Sequence, residues 1–539
     1  MQIPTNLLIL YKGIAFFDFR KYNVKLEIYL YIICLFEYIL LTTTNHNKSA
    51  RSKMVFSSLL FIYAFLPICL IFYSLMKGIN GKNIVLLIFS LLFYTWGEPV
   101  YVLLLLFMTF WDWFSALLIE KTETEAKKKF WLIASVIVNL GLIGYFKYTG
   151  FILSNIQSIF GIPEIIPKIA LPIGISFYTF QLLSYVIDVY RKEVPAQKNF
   201  FWLLLYSSLF YQCIAGPIVR YSDVQREINE RKVNLPEVSM GVTRFVGGLG
   251  KKALIANVCG SLADQLLVSD ALMSSSFESA IAELSSRSAI GLWFGVLFYS
   301  LQIYLDFSAY SDMAIGMGLM VGFHFKENFN YPYIAKSVTD FWRRWHISLS
   351  SFFRDYVYIP LGGNRKGKFN TYRNLFVVWL LTGLWHGASW NFVLWGLFFF
   401  VFLVIEKIGL LKILEKVPAF FSHAYLLIVV FFGWILFRFS DFRYIPVVIK
   451  GLFGLNGNAF IDFETKTLLI GNIIFIIVAL FSVTPIIKRF SIACQNSEKG
   501  SFPSVLYKIL SVILPLGILF LSTLSLVGDS YNPFLYFQF

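Results

Sequence analysis

Five histidines, His46, His324, His346, His386 and His423, occur in the chain, and two of them stand where proton chemistry has a reason to sit. His386 lies in Leu-Thr-Gly-Leu-Trp-His-Gly-Ala-Ser-Trp-Asn, inside the strongly apolar run Leu375–Val404. An ionisable side chain at membrane depth costs about 3 kcal/mol on insertion scales and is a functional candidate by default. Gly383, Gly387, Ala388 and Ser389 around it are small, so a substrate or a second helix can come close. A neutral imidazole bonded to a neighbouring helix is the plainer reading of the same position. Imidazole titrates near neutrality, which suits it to take a proton from an attacking hydroxyl; an acyl thioester is already activated and needs little more. His346 sits in Phe-Trp-Arg-Arg-Trp-His-Ile-Ser-Leu-Ser, an amphipathic stretch between two apolar runs. His46 and His423 lie near the ends of runs, and His324 follows the glycine-rich Gly316, Gly318 and Gly322, where contact with backbone is expected.

Arg343 and Arg344 precede His346. Guanidinium groups there suit the phosphates of a donor, and lipid headgroups would use them equally well. Asp306 and Asp312 are six apart in Gln-Ile-Tyr-Leu-Asp-Phe-Ser-Ala-Tyr-Ser-Asp, which puts them about 240° apart around a helix. They make a poor glycosidase pair; either orients a histidine or bonds polar groups at a break in the helix. Trp385 and Asn391, in the motif around His386, complete the candidate set for donor or substrate contact. Gly362-Gly-Asn-Arg-Lys-Gly367 lacks the spacing and the hydroxyl residue of a nucleotide-hydrolysing phosphate loop, and H-E-x-x-H and G-x-S-x-G are missing. The five cysteines, Cys34, Cys69, Cys213, Cys259 and Cys494, form no CxxC pair, so neither a disulfide framework nor a metal centre is expected.

The elements that must position these residues are membrane helices. Of 539 residues, 58% are hydrophobic and 14% charged, against about 25% charged in soluble domains; the mean hydropathy is +0.68. Apolar runs of about 20 residues, enough to cross a hydrocarbon core, recur along the chain. The fold class expected is all-α, a polytopic bundle with about eleven core spans. The candidates are Val55–Met76, Ile84–Gly97, Val100–Ile119, Phe130–Tyr148, Ile169–Val189, Phe200–Val219, Leu292–Phe307, Met313–Phe325, Leu375–Glu406, Ala424–Phe437, Leu468–Ile487 and Val505–Val527. Some are short or break at Gly and Pro, a pattern of helices that bend inside a bilayer to line a cavity. The net charge of +15 concentrates in short connections, chiefly Arg220–Lys252 and Arg343–Arg373, which places both in the cytoplasm and leaves nucleic-acid binding without support. Residues 1–53 read as an N-terminal extension with one weak apolar segment, Met54 as the natural start, and 54–539 as one transmembrane domain.

The polar positions within these runs resemble the membrane-bound O-acyltransferase (MBOAT) family, in its alginate O-acetyltransferase (AlgI-like) branch. The likeness is carried by Phe93-Tyr-Thr-Trp-Gly-Glu-Pro99, Asn139-Leu-Gly-Leu-Ile-Gly-Tyr-Phe-Lys-Tyr148 and Leu171-Pro-Ile-Gly-Ile-Ser-Phe-Tyr-Thr-Phe-Gln181. It continues through Ile214-Ala-Gly-Pro-Ile-Val-Arg220, Asp306 to Asp312, Glu327-Asn-Phe-Asn-Tyr-Pro-Tyr333, Trp345-His346, Trp385-His386-Gly387, Phe432-Gly-Trp-Ile-Leu-Phe-Arg438 and Asn532-Pro-Phe. The resemblance implies a ring of helices with a central passage, His386 as the catalytic histidine and His346 as the second active-site residue. It further implies no bound cofactor, acetyl-CoA or another acyl thioester as donor, an exported polysaccharide as acceptor, and an SGNH-type acetyltransferase partner in the periplasm. The place implied is the bacterial cytoplasmic membrane. D-alanyl or other acyl transfer to a cell-envelope polymer, lipid or protein is the alternative. A non-enzymatic transporter would show internal repeats of broken helices, and none is seen.

Overall fold

The computed structural model describes residues 54–161, 169–214, 216–498, 500–528 and 534–535. The extension 1–53 and its apolar segment lie outside them. Among the described residues every regular element is helical, as a bilayer demands of a chain that must satisfy its backbone internally. Six helices are long and apolar enough to cross: α1 (Ile79–Gly97), α2 (Val102–Lys121), α3 (Glu125–Phe160, with a π-helical turn inside), α6 (Ala289–Met320), α11 (Ala419–Arg438) and α12 (Phe502–Gly528). A seventh crossing is available if Phe463–Gly471 and Ile473–Ser482, bent by 63°, count together. Between these lie α4 (Ile175–Tyr190), α5 (Leu235–Gly250), α7 (Val338–Arg344), α8 (Ile347–Phe353), α9 (Gly367–His386) and α10 (Trp390–Ile405). The chain is a polytopic all-α membrane bundle. The expected count of about eleven is not reached by length and composition, because several apolar runs are divided into shorter helices.

Two departures from the sequence reading matter for the site. Leu292–Phe307 and Met313–Phe325, expected as separate segments, lie mostly within the single 32-residue helix α6, about 48 Å long at 1.5 Å per residue. It runs unbroken through its polar stretch because both acids meet bases there: Lys252 reaches Asp306 at 2.5 Å, while Lys251 (2.5 Å) and Arg244 (3.0 Å) reach Asp312. Part of the basic connection Arg220–Lys252 is thereby drawn inward, and Arg231 is buried on Tyr73, Val321 and Asn83.

The run Leu375–Glu406, expected as one span, is a hairpin of α9 and α10 that turns at Gly387–Ser389. The two helices touch backbone to backbone. A Cβ on Gly383 would lie 2.4 Å from the carbonyl oxygen of Phe392, and one on Gly396 would lie 2.3 Å from that of Trp379, the small-residue contact that membrane helices use to pack. His386 is therefore the last residue of a helix rather than a mid-helix residue.

Four of the five π-helical turns among the described residues, Gly144–Tyr148, Lys251–Ala256, Arg354–Tyr358 and Glu406–Leu410, share a use that the apolar fifth, Phe61–Phe65, does not. The extra residue in such a turn rotates the following face of the helix, and each of the four carries a charged side chain into an internal contact. Lys147 reaches α9, Lys252 reaches Asp306, Asp355 pairs with Arg220 at 2.7 Å, and Glu406 caps α7.

Candidate active site

His386 ends α9, where the last carbonyls of a helix have no partner within it. Here a neighbouring element supplies them: the Tyr148 hydroxyl donates to Leu384 O at 2.5 Å, and the Lys147 ammonium donates to the carbonyls of Trp385 and, at 3.4 Å, His386. The imidazole faces a wall of rings, with Trp395, Trp385 and Phe437 at centroid distances of 4.9, 5.1 and 5.3 Å. It is 6% exposed, and its Nδ1 has no hydrogen-bond partner among the described residues.

His346 approaches from the connection between α7 and α8, with the positive φ of 44°. That left-handed conformation is unfavourable for a residue with a side chain, so the surroundings must hold it there. Several bonds do. Ile347 N donates to Asn328 O at 2.9 Å, and the Asn328 side-chain oxygen accepts from Ser348 N (3.2 Å) and Ser348 Oγ (2.9 Å). The same oxygen lies 3.1 Å from His346 Nδ1, while Asn328 Nδ2 donates to Ser311 Oγ at 3.2 Å. An amide oxygen can only accept, so Nδ1 carries the proton and Nε2 bears the lone pair. Nε2 is buried and has no hydrogen-bond partner among the described residues. Glu406 fixes the start of the same segment, accepting from Val338 N (2.6 Å), Thr339 N (2.9 Å) and Thr339 Oγ1 (2.6 Å).

The Trp385 ring contacts both imidazoles, 5.1 Å from His386 and 5.7 Å from His346. Next to His386 is a small cavity of about 20 Å³, lined by Ile303, Asp306, Phe307, Trp345, Trp395, Trp434, Phe437 and Leu535. That is space for about one water-sized group. Asp306, its one acid, is held by Lys252 and by the backbone N–H of Leu535 at 2.7 Å.

Of the residues singled out in the sequence, the fold gathers His346, Trp385, His386 and Asp306. Asn391 is buried behind them, tying α10 to α11 through the carbonyls of Leu436 (3.4 Å) and Phe437 (3.3 Å). Asp312 lies two turns of α6 away, in its ion pairs. Arg344 bonds Asp340 at 2.9 Å, and Arg343 is exposed. Two residues of the site went unnoticed: Lys147 and Asn328. The signal for Lys147 was present, an ammonium within an apolar run, the criterion that selected His386. Asn328 had no such signal, since a polar residue between runs reads as loop. Among the described residues no three His, Cys, Asp or Glu side chains gather as metal ligands.

A buried imidazole with free ring nitrogen, beside a second one whose tautomer is fixed, is a constellation for moving a proton from a hydroxyl in a water-poor site. The family model of MBOAT, the membrane-bound O-acyltransferase family, matches residues 191–445. The chain is 38% identical over 506 residues to a probable alginate O-acetylase of Pseudomonas putida, covering 90% of this chain and 100% of that one. It is 35% identical to the peptidoglycan O-acetyltransferase of Helicobacter pylori over 75% and 80% of the two chains. With the teichoic acid D-alanyltransferase of Bacillus subtilis it shares 27% over 42% and 56%. The chain belongs to the membrane-bound O-acyltransferase family and is a multi-pass membrane O-acyltransferase.

Proposed function

We propose that the protein transfers an acetyl group from a cytosolic thioester, acetyl-CoA or a carrier-bound equivalent, to a hydroxyl of an exported polysaccharide. His386 takes the proton of the acceptor hydroxyl as its oxygen attacks the thioester carbonyl. The carbon–oxygen bond forms, the carbon–sulfur bond breaks, and the proton passes from the imidazolium to the departing thiolate. His346, with Nδ1–H committed to Asn328, presents Nε2 as an acceptor only. It orients an O–H or N–H of an entering substrate and completes the site. The observation that carries this reading is that His386, at the turn of a broken hairpin, and His346, from the connection between α7 and α8, both contact the Trp385 ring.

The cavity favours acetyl over D-alanyl. Its walls are aromatic and aliphatic apart from His386 and Asp306, and Asp306 already pairs with Lys252. A methyl group suits such walls, whereas the ammonium of a D-alanyl group would lose its water without a free counter-charge. The greater likeness to O-acetyltransferases, in both identity and coverage, supports the same choice. The bacterial cytoplasmic membrane is the site of action in this reading, and an SGNH-type acetyltransferase outside it receives the group or shares its delivery. Mass spectrometry of exported glycans from cells with and without the gene tests it. Acetyl masses that vanish with the gene are expected; an unchanged glycan, or the loss of alanyl esters instead, would overturn it.

A further inference from the structure

α9 ends in a water-poor site with its last three carbonyls pointing out of the helix, and two adjacent side chains of α3 engage all three. The Tyr148 hydroxyl takes Leu384, and the Lys147 ammonium takes Trp385 and His386 while also lying 3.5 Å from Ser176 Oγ at the start of α4. The same ammonium stands 6.0 Å from the centre of the Trp385 ring, the ring that both histidines contact. A cation at a helix C-terminus is favoured by the helix dipole. An ammonium has three protons to give, and the three acceptors here come from two different elements. Lys147 lies in a membrane helix, yet its charge turns into the protein rather than out to a headgroup. The π-helical turn Gly144–Tyr148 is what brings both donors to bear on one helix end.

We infer that Lys147 and Tyr148 are positioning residues for the transfer reaction, acting through the backbone of α9 to fix where the His386 imidazole and the Trp385 ring stand. Neither touches substrate; they set the distance over which the proton moves. A misplacement of about 1 Å costs about 100-fold in rate while substrate binding is little changed. The inference rests on the acyl-transfer reading above, and its test is arranged so that the two fail separately.

The test uses membrane vesicles from cells that make the protein together with their exported glycan, with radiolabelled acetyl-CoA varied and label in the glycan counted. Lys147→Met keeps the length of the side chain without its protons and should lower kcat about 100-fold with the KM for acetyl-CoA within about threefold of wild type. Lys147→Arg, which keeps donors, should recover most of that loss. Tyr148→Phe removes a single hydroxyl and should lower kcat about tenfold at unchanged KM. Extraction of a monodisperse protein in detergent confirms the fold of each variant. Wild-type kcat in folded Lys147→Met would overturn the inference, as would an Arg variant no better than Met. If Lys147→Met does not fold, Tyr148→Phe decides, and wild-type kcat there overturns it. His386→Ala is run alongside. A dead His386→Ala with unaffected Lys147 and Tyr148 variants removes only this inference, whereas an active His386→Ala removes the reading beneath it.

Discussion

Replacing Asn328 by alanine takes away the group that fixes the second imidazole. The side-chain oxygen of Asn328 receives His346 Nδ1–H (3.1 Å), Ser348 N–H (3.2 Å) and the Ser348 hydroxyl (2.9 Å), and the residue is fully buried. The hydroxyl can turn elsewhere, but two N–H groups are left without an acceptor. Each costs about 1–3 kcal/mol, so the expected destabilisation is about 2–6 kcal/mol, reduced if water enters the space. That is a large part of a domain's total of about 5–15 kcal/mol, and the melting temperature of purified protein should fall by several degrees. The effect on rate is separate. Without the amide the ring can exchange its tautomers and turn about its bond, so transfer should fall about 100-fold. Asn328→Asp keeps an acceptor for Nδ1–H but loses the donor to Ser311 and adds a buried carboxyl beside the imidazole; it should retain more than a tenth of the wild-type rate. The assay is label transfer from acetyl-CoA to glycan in vesicles, with thermal unfolding measured in detergent. A folded alanine variant at wild-type rate would refute the tautomer argument. An aspartate variant as slow as alanine would show that amide shape, not acceptance, is what counts.

Three other perturbations probe different parts of the account. Lys252→Met leaves Asp306 buried without its base and should destabilise the protein by about 3–5 kcal/mol, while Lys252→Met with Asp306→Asn should recover much of that; a double variant no better than the single in thermal unfolding would contradict the pairing. Leu535→Ala enlarges the cavity beside His386 and should raise the use of propionyl-CoA relative to acetyl-CoA, read as glycan mass; an unchanged ratio would show that Leu535 does not bound the acyl group. The bond from Glu227 to His324, together with the nearby Glu237, holds that imidazole above its usual range. Its raised value means that the protonated pair stabilises the fold below the ordinary histidine pKa and loses its contribution as pH rises through the higher folded value. Stability measured between pH 6 and pH 9 should therefore slope down in wild type and less in His324→Ala, and equal slopes would remove His324 from the account.

How far the sequence reached is seen in particular residues. The all-helical membrane fold followed from hydropathy, since the bilayer leaves few alternatives. His386 was legible because charge inside an apolar run is costly. The same rule applied to Lys147 in Phe130–Tyr148 would have found the lysine as well. The different faces assigned to Asp306 and Asp312 hold, for one meets Lys252 and the other Arg244 and Lys251. What local pattern did not contain was the partner of each. Lys252 and Arg231 belonged to a stretch that reads as a basic loop, and only tertiary packing turns such charges inward, Lys252 onto Asp306 and Arg231 onto Tyr73, Asn83 and the Val321 carbonyl. The break of Leu375–Glu406 at Gly387–Ser389 was hidden for a related reason: most residues around it are apolar or small, and the turn is set by contact of Gly383 and Gly396 with the facing backbone. Asn328 acquires its role solely from the left-handed turn at His346, which no spacing announces.

In the proposed reaction the imidazole of His386 takes the acceptor's proton. The most direct measurement is a single-turnover reaction in vesicles preloaded with exported glycan, comparing wild type with His386→Ala and His386→Gln after confirming that each variant is folded and binds acetyl-CoA. Loss of at least about 100-fold in the rate of glycan acetylation in both variants, with acetyl-CoA binding unchanged, is the predicted result. Acetylation at the wild-type rate in either folded variant would contradict it.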